Sequence, residues 1–458
     1  MVGFKNRGWL HDISSLLGGG GGGGAGVDNA AAERRKKPSR LGILCFETAK
    51  IMSRLVSLYR SLSDEEIYRL RKGVMKSEGV AFLNSKDEGF LMSLACGEMV
   101  EDLDRAASAV SRLGKRCNSF GLNRFDLVYT DLKMGIIDVG KLEYGSKVNE
   151  RKLQKMERLI SATSCLHAAL DGLMQMEISE RKMKQLKNRQ MQLQKANFDL
   201  FNEKLENQRK MVSHFREVSL CVRLLNKSVS LMARIVCILF VRMSVVFGPY
   251  VPHLPSFSIK EQFLSHSGPI TKPSKPTLLR FHSQRSVLFL KENDGGLTAE
   301  EMFSRSNNVF LSAGPSTLGG SGLASRYANV ILLAEKYLDS REPVDQIDRE
   351  SLYQMLPENL RVLVRTKLSK NMKSAEDDAM LAEGWRDAMA EMLRWLAPMA
   401  HCTVKWQMER SFDKMRFDPK PGVLLLQTLH FSDKVKTEAA IAELLVGLSC
   451  ICKYENRV

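Results

Sequence analysis

Leu44, Ile51, Leu55, Leu58 and Leu62 recur at intervals of three, four and seven residues, the period that lines one buried face of a helix. Ser63-Asp64-Glu65-Glu66 follows as a capping box. The Ser63 hydroxyl accepts from the Glu66 amide, the Glu66 side chain reaches back, and Leu62 with Ile67 forms the hydrophobic staple. No proline stands between Pro38 and Pro249, so the commonest helix breaker is missing from nearly half the chain. Gly73, Gly79, Gly89, Gly97, Gly114 and Gly121 serve as helix ends or close packing points and divide this stretch into moderate helices. The most apolar segment, Val229 to Tyr250, is interrupted by Arg234 and Arg242 and falls short of the roughly 18 to 20 uncharged residues of a membrane span. It reads as a buried helix.

From about 149 to 215 the pattern becomes long, charged and Gln-rich. Leu153, Met156, Ile160, Thr163, His167, Leu170 and Met174 alternate at three and four residues, a heptad-like seam. Leu186, Leu193 and Leu200 continue it at sevens, while Gln190, Asn197 and Lys204 occupy the intervening core positions and weaken an isolated dimer. Two readings stand: a helical hairpin within the chain, or self-association through 150–215. His167 reads as a packed or half-exposed histidine.

Seven of the thirteen prolines fall between Pro249 and Pro315, which marks a disordered linker. Helical spacing resumes with Leu323, Tyr327, Val330, Ala334 and Leu338. Asp348 precedes a helix with Leu352 and Met355, Pro357 one with Leu360 and Leu363, and Trp385, Met389, Met392 and Leu396 form another ending at Pro398. The expected fold is mainly α: a helical bundle with long coiled-coil-like helices, and a second, smaller helical domain beyond the linker. Its divisions are a disordered Gly-rich and basic N-terminus (1–40), an N-terminal helical domain (41–100), a bundle with the heptad-like helices (101–248), the linker (249–316), a C-terminal helical domain (317–400) and a partly helical tail (401–458).

Composition narrows the function. With 44% hydrophobic and 26% charged residues the chain has enough apolar surface for a core. Its formal charge of +16 favours anionic partners, whether nucleic acid, acidic lipid or acidic protein. Arg34, Arg35, Lys36, Lys37 and Arg40 form a compact basic block beside a glycine run. It suits nuclear import or contact with an acidic membrane surface, and phosphorylation of Ser39 within it would weaken either. Nine cysteines stand singly, without zinc-ligand spacing, and point to a reducing compartment, nucleus or cytoplasm. The N-terminus lacks the apolar core of a signal peptide. Neither Gly18–Gly24 nor Gly319-Gly320-Ser321-Gly322 follows a strand, so both fail the context of a phosphate loop. The second reads as a helix-entry turn. Adjacent residues on a helix diverge by about 100°, so His401-Cys402 is not a catalytic pair. No catalytic residue, cofactor site or metal site is expected, and protein partners come before nucleic acid.

The segments LGILCFETAKIMSRLVSLYRSLSDEEIYRLR, RIVCILFVRMSVVFG, TLGGSGLASRYANVILLAEKYL and RESLYQMLPENLRVLVRTKL resemble the plant PSK (phytosulfokine) simulator family, with its DUF3475-type N-terminal and DUF668-type C-terminal domains. The resemblance covers most of 41–400. Its most specific part lies in Thr317, Leu318, Gly319, Gly320, Leu323, Ala324, Tyr327, Ala328, Asn329, Val330 and Ile331. It implies a non-enzymatic regulator of plant growth linked to phytosulfokine signalling, at the nucleus or the plasma membrane. Longer members carry a Met-Gly acylation signal; here Val2 follows Met1, so N-myristoylation is not expected. The chain reads as a shorter, divergent member.

Overall fold

The computed structural model describes residues 40–257 and 309–455, apart from 138, 140, 141, 188–194, 253, 340–345, 372–378, 411–416, 418 and 419. Arg34, Arg35, Lys36 and Lys37 and the body of the expected linker lie outside the described residues. The fold is mainly α, as the periodicity predicts. Among the described residues there is no strand, and only two isolated bridges, Arg40 with Leu224 and Thr317 with Asp433.

Helix α1 (Cys45–Ser61) buries the expected stripe, with Ile51, Leu55 and Leu58 in the core. Ser63 caps α2 (Asp64–Arg69), accepting from the Glu66 amide at 3.2 Å. The other half of the capping box does not form. The Ser63 amide already donates to the Arg60 carbonyl, and the Glu66 carboxylate pairs with Arg69 at 2.7 Å. Helix α3 (Glu88–Gly114) is capped by Asp87 and presents Leu91, Met92, Ala95, Met99, Leu103, Ala106 and Val110 inward. After α4 (Phe125–Lys133), helices α5 (Lys147–Lys187) and α6 (Lys195–Val218) form an antiparallel hairpin. Gln208 on α6 donates to the Ala169 carbonyl on α5 at 2.8 Å. Of the two readings of the seam, the intrachain hairpin is present. Leu153, Met156 and Ile160 join the main core against α1, while Leu166, Ala169 and Val212 form a small satellite cluster.

Helix α7 (Leu225–Phe247) runs through the middle, against α1, α3 and α4. By length and composition it is apolar enough to cross a membrane, yet 72% of its most apolar window is buried inside the protein. Ile235, Val236, Ile238 and Leu239 are all fully buried, so the middle of the helix is enclosed by protein on every side. Each large apolar side chain removed from water here contributes about 1.5–3 kcal/mol to the core. Both arginines that interrupt it have partners. Arg242 donates to the Leu62 carbonyl at 3.1 Å, pairs with Asp64 and lies over the Tyr144 ring, closing the end of α1. Arg234 donates to Asn149 at 3.4 Å, and burial lowers its pKa.

The second helical unit comprises α8 (Ala324–Asp339), α9 (Gln346–Met355), α10 (Glu358–Asn371), α11 (Ala379–Arg410) and α12 (Lys434–Glu455). Helix α11 packs on α8 and α12, and α12 on α10. Its buried residues belong to the same continuous core as α1, α3 and α7. Helix α11 does not end at Pro398 but continues through it to Arg410. Pro398 sits on the exposed side while Leu396, Ala397, Met399 and Ala400 are buried, so packing on both sides outweighs the lost amide bond. The tail beyond 401 supplies α12, whose Ile441, Ala442, Leu444 and Val446 are fully buried.

One disulfide departs from the expectation of single thiols. Cys45, at the start of α1, is bonded to Cys221, just after α6, with Cα atoms 4.9 Å apart across 176 positions of sequence. Spacing rules read neighbouring cysteines; only the tertiary fold brings this pair together. Burial pushes the thiols of Cys96 and Cys237 up to about 12.

Candidate functional site

The segment Thr428–Asp433 is where the N-terminal and C-terminal helices meet. On one side the Leu318 amide donates to the Ser432 carbonyl at 3.0 Å and the Gly319 amide to the His430 carbonyl at 2.8 Å. On the other the Asp433 amide donates to the Leu83 carbonyl at 2.8 Å, and Asn84 donates to the Leu426 carbonyl and accepts from the Ser432 hydroxyl. A buried stretch with only a single short 3-10 turn, Leu429–Phe431, satisfies its backbone from two flanks.

These contacts explain the glycine-rich motif. A Cβ on Gly319 would stand 2.3 Å from the His430 ring, and one on Gly320 2.1 Å from the Gly314 carbonyl oxygen. The glycines admit close approach of backbone to neighbour. Thr317 braces the turn, its hydroxyl donating to the Gly314 carbonyl at 2.7 Å and accepting from the Gly320 amide at 3.1 Å. Leu318, Ala324, Tyr327, Ala328, Val330 and Ile331 are buried, Leu323 is half-buried and Asn329 exposed. The Tyr327 hydroxyl donates to Glu438 on α12 at 2.7 Å, and burial, first, with this carboxylate raises its pKa. The motif thus serves as a fastening between α8 and α12, and the helix-entry reading of its glycines holds.

Beside it lies an aromatic cluster that the sequence does not advertise. Phe310 and Trp406 are parallel within 3° at 5.6 Å, and Phe310 and His430 lie within 21° at 4.4 Å. The Trp406 indole donates to Glu98 of α3 at 2.8 Å, and the other Glu98 oxygen accepts from the Leu425 amide at 2.6 Å. His430 Nε2 lies 2.9 Å from the Phe310 carbonyl oxygen. The rings border a cavity of about 410 Å³, also lined by Gly319, Gly322, Ser325, Thr403 and Gln407. The one signal available in the sequence is Ser432-Asp433, a capping pair ahead of α12; Asp433 accepts from the Lys436 amide at 2.9 Å.

Other flagged residues are scattered. Exposed Arg40 bridges Leu224. His401 pairs with Glu335 of α8 at 2.7 Å, and Cys402 is half-buried. His167 is half-exposed, between Phe46 and Phe417 and 3.1 Å from Asp171. Among the described residues, no group of His, Cys, Asp and Glu has the arrangement of a metal site.

Two family matches fall on these elements. Residues 43–99 match a Domain of unknown function (DUF3475), and residues 317–405 a Protein of unknown function (DUF668). The chain is 24% identical to Protein PSK SIMULATOR 1 of Arabidopsis thaliana, over 90% of its own length and 56% of the relative's. It is 24% identical to PSK SIMULATOR 3 and 23% identical to PSK SIMULATOR 2 of the same plant, over 90% and 91% of its length. The chain is thus similar to the PSK SIMULATOR proteins along most of its length. It spans 56–60% of the length of these curated relatives. No solved structure matches it. On the fold, the DUF3475 match covers α1, α2 and the first half of α3, and the DUF668 match runs from the glycine turn into α11. The two matched regions touch directly: a Cβ on Gly79 would stand 2.6 Å from the Trp395 carbonyl oxygen, and Phe82 meets the Trp395 ring edge to face at 5.4 Å.

Proposed function

We propose that the chain is a non-enzymatic regulator or adaptor in plant growth signalling, linked to phytosulfokine, that acts by holding protein partners. The observation that carries this reading is similarity along 90% of the chain to relatives named for PSK. The α5–α6 hairpin adds a surface suited to the task. Met174, Ile178 and Leu200 remain 52%, 39% and 58% exposed on paired helices, apolar side chains of the kind that partner helices or grooves cover. Seedlings expressing the intact chain are expected to show an altered growth response to phytosulfokine peptide. Replacement of Met174, Ile178 and Leu200 by serine should abolish that alteration; a triple variant that acts like the intact chain would sink the adaptor reading at the hairpin.

A second reading, a nucleic-acid-associated nuclear protein, is supported by the +16 charge and the basic block. A fluorescent fusion with Arg34, Arg35, Lys36 and Lys37 changed to alanine tests the import half. Loss of nuclear signal supports it, and a peripheral signal in both versions turns the search to a scaffold at the membrane surface. Salt-insensitive or absent DNA and RNA binding removes the nucleic-acid half.

A further inference from the structure

We propose that the cavity bordered by Phe310, Trp406, His430, Thr403, Ser325 and Gln407 is a binding site for a small, neutral, planar aromatic molecule with a hydrogen-bonding group at its edge. Its volume of about 410 Å³ falls within the roughly 300–1,000 Å³ typical of small-molecule sites. The wall is aromatic, and Phe310 keeps 39% of its surface exposed. A planar ring stacks on such a surface in offset or edge-to-face geometry.

The wall is also held in place. Trp406 is fixed by its hydrogen bond to Glu98, and the His430 ring by the Phe310 carbonyl. Behind His430, Gly319 approaches so closely that the ring has no room to swing back. A surface already ordered loses little freedom when a ligand arrives.

The polar lining selects the ligand's edge. The Thr403 hydroxyl donates to the Met399 carbonyl and accepts from the Leu429 amide; the Thr428 hydroxyl is likewise divided between the Leu425 carbonyl and the His430 amide. The Ser325 hydroxyl and the Gln407 carboxamide have no side-chain partner among the described residues. They offer donors and acceptors to a ligand. Among the described residues no Asp, Glu, Lys or Arg lines the cavity, and the Nε2 of its one titratable ring, His430, is taken by the Phe310 carbonyl, so the described lining offers little to balance a phosphate or an ammonium group.

The test is ligand-observed saturation-transfer NMR on the full chain with three probes, indole, benzamide and benzoate. Indole and benzamide are expected to bind, and benzoate at least tenfold more weakly. Ser325→Phe, which fills the cavity from within, should reduce both signals at least tenfold while the circular dichroism spectrum and thermal transition stay unchanged. Gln407→Ala, at an exposed position, keeps the question open should the bulky variant fail to fold. It should weaken benzamide by about threefold to tenfold, the value of one hydrogen bond, and leave indole unaffected. Absence of signal from all three probes at millimolar concentration overturns the proposal. So do signals that persist unchanged in both variants, or benzoate binding as tightly as benzamide.

Discussion

Along the α5–α6 hairpin the described residues form only a small apolar cluster, Leu166, Ala169 and Val212, between two long helices, and large apolar side chains such as Leu200 stand in water. Around Thr428–Asp433 there is hardly a turn of regular structure, yet each flank is tied by backbone hydrogen bonds and two glycines are packed to within contact of their neighbours. The hairpin draws its shape from local helix preference and a periodic seam. The junction draws its shape from groups more than a hundred residues away, as with Leu425 and Glu98 or Tyr327 and Glu438. Substitutions should therefore be tolerated in the first region and damaging in the second, even where the residues concerned are small.

The sharpest way to break that contrast is Gly320→Val. Its Cβ meets a backbone carbonyl that cannot move aside, and a loss of about 4 kcal/mol is expected, read as a lower urea midpoint. At the foot of the hairpin, Cys221→Ser removes the tie to α1. Under non-reducing conditions it should cost about 3 kcal/mol, and the difference from the unaltered chain should vanish when both are measured in excess dithiothreitol. Glu98→Ala strips partners from the Trp406 indole and the Leu425 amide. The expected loss is about 2 kcal/mol, with Trp406 fluorescence shifting as its ring is released. Tyr327→Phe deletes one hydroxyl and its bond to Glu438, for about 1 kcal/mol by thermal unfolding. Leu200→Ser, on the exposed hairpin, should change stability by less than about 0.5 kcal/mol. If Leu200→Ser proved as damaging as Tyr327→Phe, the hairpin would owe its shape to more than its local sequence.

Much of the fold was legible in advance, for reasons that differ by element. Helix α1 shows its buried stripe at three- and four-residue spacing, and α7 shows a charge-interrupted apolar run whose burial follows from its composition. The stop at Pro398 was misread because proline weakens an isolated helix, whereas here Leu396, Met399 and Ala400 hold α11 from both sides of the residue. The capping box at Ser63 was half right, because the Ser63 amide was already taken by the preceding turn. Thr317–Ile331 could be picked out by resemblance, but its role as a fastening could not. His430, Trp406, Phe310 and Glu98 carry no local pattern, whereas α12 shows Ile441, Leu444, Leu445, Leu448 and Ile451 at helical spacing behind the Asp433 cap.

The sequence by itself determined that the chain is helical, where its long helices run and which faces they bury, because periodicity and capping act over a few residues. Only the tertiary structure decided which partners meet: Cys45 with Cys221, Glu98 with Trp406, and the glycine turn with His430. Those pairings depend on how whole helices pack into one close-fitting core, and packing at that distance leaves no repeat or spacing along the chain to be read.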